Sequence, residues 1–160
     1  MKIYSFPPIS NQNAEVLILG TIPGEMSLKL NQYYGHGGNT FWKIIFSIFK
    51  KPFSANYDEK KEILLKNNIA LWDVLMACER EGSSDNAILQ ETPNDFKSFF
   101  ENHKNIRLIA FNGKNAETYF TNLSVLKPKV KYITLPSTSP ANTWKTFEEK
   151  LAEWKKIKLI

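Results

Sequence analysis

The length, composition and charge of this chain exclude several classes of protein. It has 160 residues, of which 42% are hydrophobic, so residues 1–160 are expected to form one folded domain with an apolar core. No run is long and charge-free enough to cross a bilayer and no signal-peptide pattern opens the chain, which favours a cytoplasmic protein. The single cysteine, Cys78, excludes an intrachain disulfide and a four-cysteine iron–sulfur cluster, and is expected to be a small buried hydrophobe.

The net charge of +5 is unevenly distributed along the chain. Residues 1–100 carry 10 Lys/Arg and 11 Asp/Glu (net −1), whereas residues 101–160 carry 11 Lys/Arg and 5 Asp/Glu (net +6). A basic surface suits a polyanion, because phosphate contacts release counterions. The basic ending of the chain is equally compatible with a solvated tail.

The hydrophobic pattern alternates strands and helices. Residues 1–14 are expected to be irregular, residues 21–38 to form a loop, and residues 73–88 to be part helix and part loop. Apolar, branched runs predict four strands, at 15–20, 69–72, 106–111 and 130–135. Helices are predicted at 39–50, 58–66, 93–102, 114–120 and 143–156, the last with Trp144, Phe147, Leu151 and Trp154 on one apolar face.

This alternation predicts an α/β fold with a parallel sheet covered on both faces. Right-handed crossovers then bring the carboxyl ends of all four strands to one edge. Gly20–Gly24, Asp73, Asn112–Gly113 and Ser137–Asn142 follow these strand ends. Ligands bind at such an edge in open α/β sheets, so it is the expected functional site.

The residues at this edge limit the chemistry. The chain has no Gly-Lys-Ser phosphate loop, no GxGxxG fingerprint, no GxSxG elbow and no His/Cys cluster for a metal. Amide, hydroxyl, aromatic and backbone groups remain. They suit recognition of a flat heterocycle by stacking and by hydrogen bonds to its edge.

Three segments resemble the motifs of a known family. They are Gly20-Thr21-Ile22-Pro23-Gly24 after the first strand, Tyr33-Tyr34-Gly35-His36-Gly37-Gly38-Asn39-Thr40-Phe41-Trp42, and Leu135-Pro136-Ser137-Thr138-Ser139-Pro140-Ala141-Asn142 after the last strand. In this order they resemble the uracil-DNA glycosylase superfamily, and most closely its hypoxanthine-DNA (deoxyinosine) glycosylase branch, near the mismatch-specific uracil/thymine enzymes.

The resemblance implies a three-layer α/β/α domain with a four-stranded parallel sheet. It also implies a monofunctional enzyme that flips a deaminated base out of DNA and hydrolyses its N-glycosidic bond without a cofactor, a metal or an iron–sulfur cluster. Hypoxanthine is the leading substrate, and uracil or mismatched thymine follows. The implied partner is DNA containing such a base, with the protein acting as a monomer associated with the nucleoid and not with a membrane.

The resemblance also assigns roles to residues. Several relatives carry a water-positioning Asp or Asn at the third place of the first motif, and here Ile22 stands there. In the hypoxanthine branch the signature asparagine is the functional amide, and it falls on Asn39, which is therefore the implied catalytic residue. Asn39 also suits a helix N-cap. Gly24 replaces the tyrosine that blocks larger bases in uracil-specific relatives, so a purine is expected to fit. Asp73 falls where uracil enzymes read the base with asparagine, and it equally suits the cap of a helix beginning at Val74.

The remaining implied site residues bind the base or the DNA. Tyr34 or Phe41 is expected either to stack on the base or to belong to the core. Better-known relatives carry a histidine in the second motif, where this chain has Leu135 or Ser137, so His36 either replaces that histidine or is structural. The expected substrate-binding set is Gly20, Thr21, Pro23, Gly24, Tyr34, His36, Phe41, Asp73 and Asn112. The residues expected to contact DNA or hold their loop are Ser137, Thr138, Ser139 and Asn142.

Two other interpretations remain open. One is a non-catalytic nucleic-acid or nucleotide-binding module on the same fold, favoured by Gly37-Gly38 before Asn39 and by the missing histidine. The other is a flavodoxin-like enzyme acting on a small molecule. The latter needs a phosphate-cradling first loop, and Ile22-Pro23 offers few free amides for one.

Overall fold

The computed structural model describes residues 1–123 and 128–158. The strands are β1 (Lys2–Tyr4), β2 (Val16–Gly20), β3 (Ile69–Asp73), β4 (Leu75–Glu79), β5 (Leu89–Pro93), β6 (Leu108–Asn112) and β7 (Lys131–Leu135). The helices are α1 (Glu25–Leu30), α2 (Phe41–Ile48), α3 (Tyr57–Lys66), α4 (Phe96–Asn102), α5 (Lys114–Leu123) and α6 (Phe147–Trp154). Short 3₁₀ turns cover Asp85–Ala87 and Lys155–Ile157.

The central sheet has four parallel strands in the order β3-β2-β6-β7, as predicted. Gly20 pairs with Asp73, and Asn112 pairs with Leu135. The last residues of the four strands therefore lie side by side at the carboxyl edge of the sheet.

Strand β2 is buried on both faces, and its side chains point alternately into two separate hydrophobic cores. Val16 and Ile18 pack into the core formed with α2, α3 and α6. Leu17 and Leu19 face the opposite core, which includes aromatic residues of α4 and α5. Because successive side chains of β2 point to opposite faces and both faces are covered by helices, polar and apolar residues do not alternate along this strand.

A second sheet, antiparallel and ordered β1-β4-β5, packs on the side of α4 and α5. Residues 73–88 were predicted as part helix and part loop, but Leu75–Glu79 form a strand, and helical geometry is limited to the 3₁₀ turn Asp85–Ala87. The prediction of an irregular 1–14 was wrong at Lys2–Tyr4, which form β1. Leu75 and Ala77 are buried and Met76 is exposed, the alternation of a strand. Cys78 pairs with Ile3 and is buried, which confirms its predicted burial.

Several element boundaries also differ from the predictions. Helix α1 lies within the predicted loop, and α4 begins after its N-cap Asp95, whose side chain accepts a hydrogen bond from the Ser98 N–H. Helix α6 begins after Thr146, which forms a capping box with Glu149. Trp144 therefore precedes the helix. Within the described ranges, no helix has both the length and the apolarity to cross a membrane.

Candidate functional site

A cleft of about 1330 Å³ opens at the carboxyl edge of the central sheet. The four predicted strand exits all line it, Gly20–Gly24, Asp73, Asn112–Gly113 and Ser137–Asn142. Residues 83–86, which connect the two strands β4 and β5, also reach the cleft. Its wall therefore combines loops from both sheets.

Gly20, Tyr34 and Asp73 meet closely at one place in the cleft wall. A Cβ atom at Gly20 would lie 2.6 Å from Tyr34 Oη and 2.7 Å from Asp73 Oδ1. Only glycine admits this approach. Tyr34 stacks on Phe41, with ring centroids 4.2 Å apart and an interplanar angle of 28°. The phenol is thus held beside the carboxyl group.

Asp73 carries a carboxyl group with few partners. The residue is 4% exposed, and within the described residues its Oδ2 has no hydrogen-bond partner. Burial, helped by the nearby charge of Asp85, raises the pKa of Asp73 to about 7. Burial, and then the Asp73 charge, raises the pKa of the Tyr34 phenol well above its ordinary value. Tyr34 therefore remains a neutral hydroxyl beside a group that titrates near neutrality.

Asn39 lies at the start of α2 and is half-buried in the cleft wall. Its Oδ1 accepts a hydrogen bond of 2.9 Å from the Phe41 N–H. Across residues 1–123 and 128–158, its Nδ2 makes no hydrogen bond. The N-cap of α2 is Thr40 and not Asn39, so the expectation that Asn39 occupies the cap position is wrong by one residue. The bond to the Phe41 N–H still fixes the amide in the cleft, and it leaves the NH₂ group and one Oδ1 lone pair of Asn39 for other partners.

The turn that precedes Asn39 packs against the loop after β7. The Thr40 N–H donates to the Thr138 carbonyl oxygen at 3.1 Å. A Cβ at Gly38 would lie 3.2 Å from Pro140 Cβ. The Asn39 N–H also donates to the His36 carbonyl oxygen at 2.9 Å. Gly38 thus permits close packing of two loops, and these contacts hold the turn.

The loop after β7 uses most of its polar groups internally. Asn112 Nδ2 donates to Thr138 Oγ1, and the Thr138 N–H donates to Asn112 Oδ1, each at 3.0 Å. Thr138 lines the cleft but is only 1% exposed, and its hydroxyl is engaged by Asn112, so its predicted contact with DNA stays a prediction. Ser137 Oγ and Ser139 Oγ accept backbone N–H bonds within the loop. For these two serines and Asn142, the loop-holding interpretation is supported.

Two other predicted site residues differ in their surroundings. Phe41 is fully buried behind Tyr34 and does not line the cleft, so the structure supports the core alternative for Phe41 over stacking on a base. His36 is exposed and lines the cleft, and its Nδ1 accepts a 2.9 Å hydrogen bond from the Gly38 N–H. Because Nδ1 accepts this bond, the neutral His36 imidazole carries its hydrogen on Nε2, and Nε2 is then a hydrogen-bond donor.

The cleft-lining residues that sequence reasoning missed include the charged Asp85, Lys114 and Lys145 and the aromatic Trp144. It also missed the buried Arg80, whose Nη2 donates to the Pro23 carbonyl oxygen at 2.7 Å. The Thr-x-x-Glu capping box of α6 was the one sequence signal that could have placed Trp144 outside that helix. In the part of the chain that the structure describes, no group of three or more His, Cys, Asp or Glu side chains forms a metal-binding cluster.

Comparisons with known proteins agree with this architecture. A family model described as "Uracil DNA glycosylase superfamily" matches residues 7–158. A protein named hypoxanthine DNA glycosylase from Methanosarcina barkeri is 41% identical over 143 residues, 89% of each chain. A protein of the same name from Methanosarcina acetivorans is 38% identical over 153 residues, 95% of each chain. The solution NMR structure of a proposed uracil DNA glycosylase from Methanosarcina acetivorans has a TM-score of 0.83 at 35% identity, covering 99% of this chain and 100% of its own.

Proposed function

This chain belongs to the uracil DNA glycosylase superfamily, and from that premise we propose that it removes hypoxanthine from DNA as a monofunctional glycosylase. The family and the three-layer fold predicted from the motifs are confirmed. The predicted DNA glycosylase activity is confirmed by the two relatives named for it. The roles of individual residues in this chain are our proposal.

The reaction breaks the bond between the base and C1′ of deoxyribose. Water attacks C1′ as the base leaves with the bonding electrons, and the products are hypoxanthine and an abasic site. The sugar becomes oxocarbenium-like, so the enzyme gains most by positioning water and by stabilising the leaving base. Asn39 is the observation that carries the proposal, because its amide is fixed in the cleft by the 2.9 Å bond to Phe41 N–H.

The shape of the cleft suits a purine. Gly24 contributes no side chain to the wall, and a Cβ there would have only Ser83 atoms nearby, at 3.5 Å and beyond. Ile22 lines the cleft with an apolar side chain that cannot order water. We therefore propose that Asn39 positions the attacking water and that the purine base occupies the space beside Gly24.

Tyr34 and Asp73 are suited to hold the flipped base. The Tyr34 ring is half-buried in the cleft wall and offers a stacking surface backed by Phe41. Asp73 presents a carboxyl group with unused hydrogen-bonding capacity. In its ionised form it accepts the ring N–H that hypoxanthine offers.

The lysines of the cleft do not favour a Schiff-base mechanism. Lys114 forms an ion pair with Glu117 and Lys145 one with Glu153, each at 3.0 Å. Both lysine nitrogens are engaged with carboxylates, and neither is held free to attack the sugar aldehyde as a nucleophile. We therefore propose hydrolysis without strand cleavage, by a monomer associated with chromosomal DNA.

An excision panel with wild type and Asn39→Ala tests the proposal. The duplexes carry inosine, uracil, xanthine or thymine opposite guanine, and alkali reveals abasic sites. We expect inosine to be excised fastest, and Asn39→Ala to lose about a hundredfold or more in rate while DNA binding is largely kept.

A matched control is needed, because Asn39→Ala also removes the side-chain hydrogen bond to the first N–H of α2. Asn56 makes a comparable bond at the start of α3, where as the N-cap it accepts a hydrogen bond from the Glu59 N–H at 3.0 Å. Asn56→Ala should lose comparable stability, about 1 kcal/mol, and keep its excision rate. Equal excision by wild type and Asn39→Ala would remove Asn39 from the mechanism, and binding without any abasic product would favour the non-catalytic module.

A further inference from the structure

Trp144 differs from the other three tryptophans of the chain in its surroundings. Trp42, Trp72 and Trp154 are between 0% and 9% exposed, whereas Trp144 is 93% exposed. It is the most exposed large hydrophobic side chain in the described residues. Within residues 1–123 and 128–158, almost no side chain covers its ring, so its surface is available to a partner.

The backbone that carries Trp144 is anchored. Asn142 Nδ2 donates to the Ser137 carbonyl oxygen at 2.9 Å, and the Trp144 N–H donates to Asn142 Oδ1 at 3.4 Å. The ammonium of Lys150, a residue only 5% exposed, donates to the Asn142 carbonyl oxygen at 3.0 Å. The indole is therefore presented from a fixed loop, and little backbone order is lost when it binds.

The position of Trp144 relates it to the site. It lines the same cleft as Asn39 and follows the loop after β7. The other residues at the tip of that loop, Ser139, Pro140 and Ala141, have smaller side chains. An enzyme that extrudes a base leaves a gap in the stack, and aromatic side chains stack on bases of any sequence.

We propose that Trp144 inserts into the duplex where the base has been flipped out and stacks on the neighbouring base. This inference rests on the proposed glycosylase function and deepens it, since it names the residue that stabilises the extruded state. Trp144 is a positioning residue, because it contacts the DNA stack and not the reacting atoms.

Tryptophan fluorescence reports on Trp144 directly. The other three indoles are shielded, so quenching on addition of duplex DNA with one inosine should come from Trp144. We expect strong quenching in wild type and almost none in Trp144→Ala. Equal quenching in the two proteins, or none in wild type, would overturn the inference.

Excision rates test the same contact independently. Trp144→Ala should excise inosine from duplex DNA about tenfold to a hundredfold more slowly, and from single-stranded DNA at nearly the wild-type rate, since no paired stack must be opened there. Trp144→Phe should recover most of the loss. Tyr4→Ala is the matched control, because Tyr4 is 61% exposed but lies on β1, outside the cleft.

The failures of the two proposals are distinguishable. If wild type excises no base, the proposed function fails. If wild type excises inosine and Trp144→Ala does so equally well in duplex and single-stranded DNA, only the role of Trp144 fails. An equal loss on both substrates would also contradict insertion, because it indicates a defect in the cleft itself.

Discussion

Burial disfavours the ionised form of the Asp73 carboxyl group, whereas the proposed reaction uses that form to bind the base. Burial and the Asp85 carboxylate raise its pKa from 3.8 to about 7, and Tyr34 beside it remains a neutral hydroxyl. Below about pH 3.8 the folded and unfolded states are both protonated at this group, and its contribution to stability is fully present. That contribution is lost as pH rises from about 3.8 through about 7, because over this range the unfolded state releases the proton while the folded state retains it.

The titration of Asp73 predicts a pH profile for catalysis. If the ionised carboxylate accepts the ring N–H of hypoxanthine, kcat/KM should rise as pH increases from 6 to 8, with an apparent pKa of about 7. The Asp73→Asn variant should lose this rise. Single-turnover excision across the range measures both, and a flat wild-type profile would contradict the assigned role.

The same group predicts the opposite trend in stability. Asp73→Asn should gain stability relative to wild type as pH rises from 5 to 8, because the amide cannot ionise. Denaturant unfolding at each pH measures the difference. A constant difference between the two proteins would show that Asp73 does not titrate in this range.

Arg80 connects the second sheet to the glycine-containing loop after β2. It follows β4, its Nη2 donates to the Pro23 carbonyl oxygen and its Nε to the Gly82 carbonyl oxygen, both at 2.7 Å. It is 3% exposed, and within the described residues its Nη1 has no partner. The backbone N–H groups of Val74 and Leu75 also donate to this loop, at the carbonyl oxygens of Gly20 and Thr21. The second sheet therefore supports one wall of the cleft.

Replacement of Arg80 should loosen this support. Arg80→Met leaves the carbonyl groups of Pro23 and Gly82 without their donors, and should lower the free energy of unfolding by about 1–3 kcal/mol. The chain's other arginine offers a matched control: Arg107 is exposed and paired with Glu15 at 3.1 Å, so Arg107→Met should cost less than about 1 kcal/mol. Equal losses in urea unfolding would argue against a supporting role for Arg80.

The sequence predicts the central elements well and the second sheet poorly. Apolar runs such as Val16–Gly20 and Ile69–Asp73 are readily predicted as strands, because strands buried on both faces of a parallel sheet are apolar throughout. The segment Leu75–Glu79 contains good helix formers, yet it is a strand because β1 and β5 pair with it on either side. Such long-range pairing overrides local propensity, and it is not visible in one sequence.

The candidate site follows the same division between local and long-range information. The cleft-lining positions of Gly20, Asp73 and Asn39 could be predicted, because chain order places strand ends and their loops at one edge. The burial of Thr138 by Asn112, and of Phe41 by Tyr34, could not. The first contact joins segments 26 residues apart, and the second depends on how the turn before α2 folds back, so side-chain orientation in both depends on the packed structure.

Across the whole molecule, positive charge is concentrated in the last third of the chain. Residues 101–160 carry 11 Lys/Arg against 5 Asp/Glu, and Lys114 and Lys145 from this part line the cleft. The same cleft also holds acidic groups, among them Asp73 and Asp85. The phosphate backbone of DNA is therefore attracted by these lysines and repelled by the carboxyl groups near the proposed base pocket. This charge distribution favours phosphate contacts at the rim of the cleft.

This arrangement predicts that DNA binding depends steeply on salt. If three phosphates are neutralised, affinity for an inosine duplex should fall about fortyfold between 50 and 200 mM salt. Lys145 lies beside Trp144 at the cleft, so Lys145→Gln should reduce the slope of log K against log salt by about one. Lys156, which lies outside the cleft in the turn after α6, provides the control, and Lys156→Gln should leave the slope unchanged. Fluorescence anisotropy titrations at several salt concentrations measure the slope for each variant. A reduced slope in Lys156→Gln with an unchanged slope in Lys145→Gln would place the DNA on the turn after α6 instead of at the cleft.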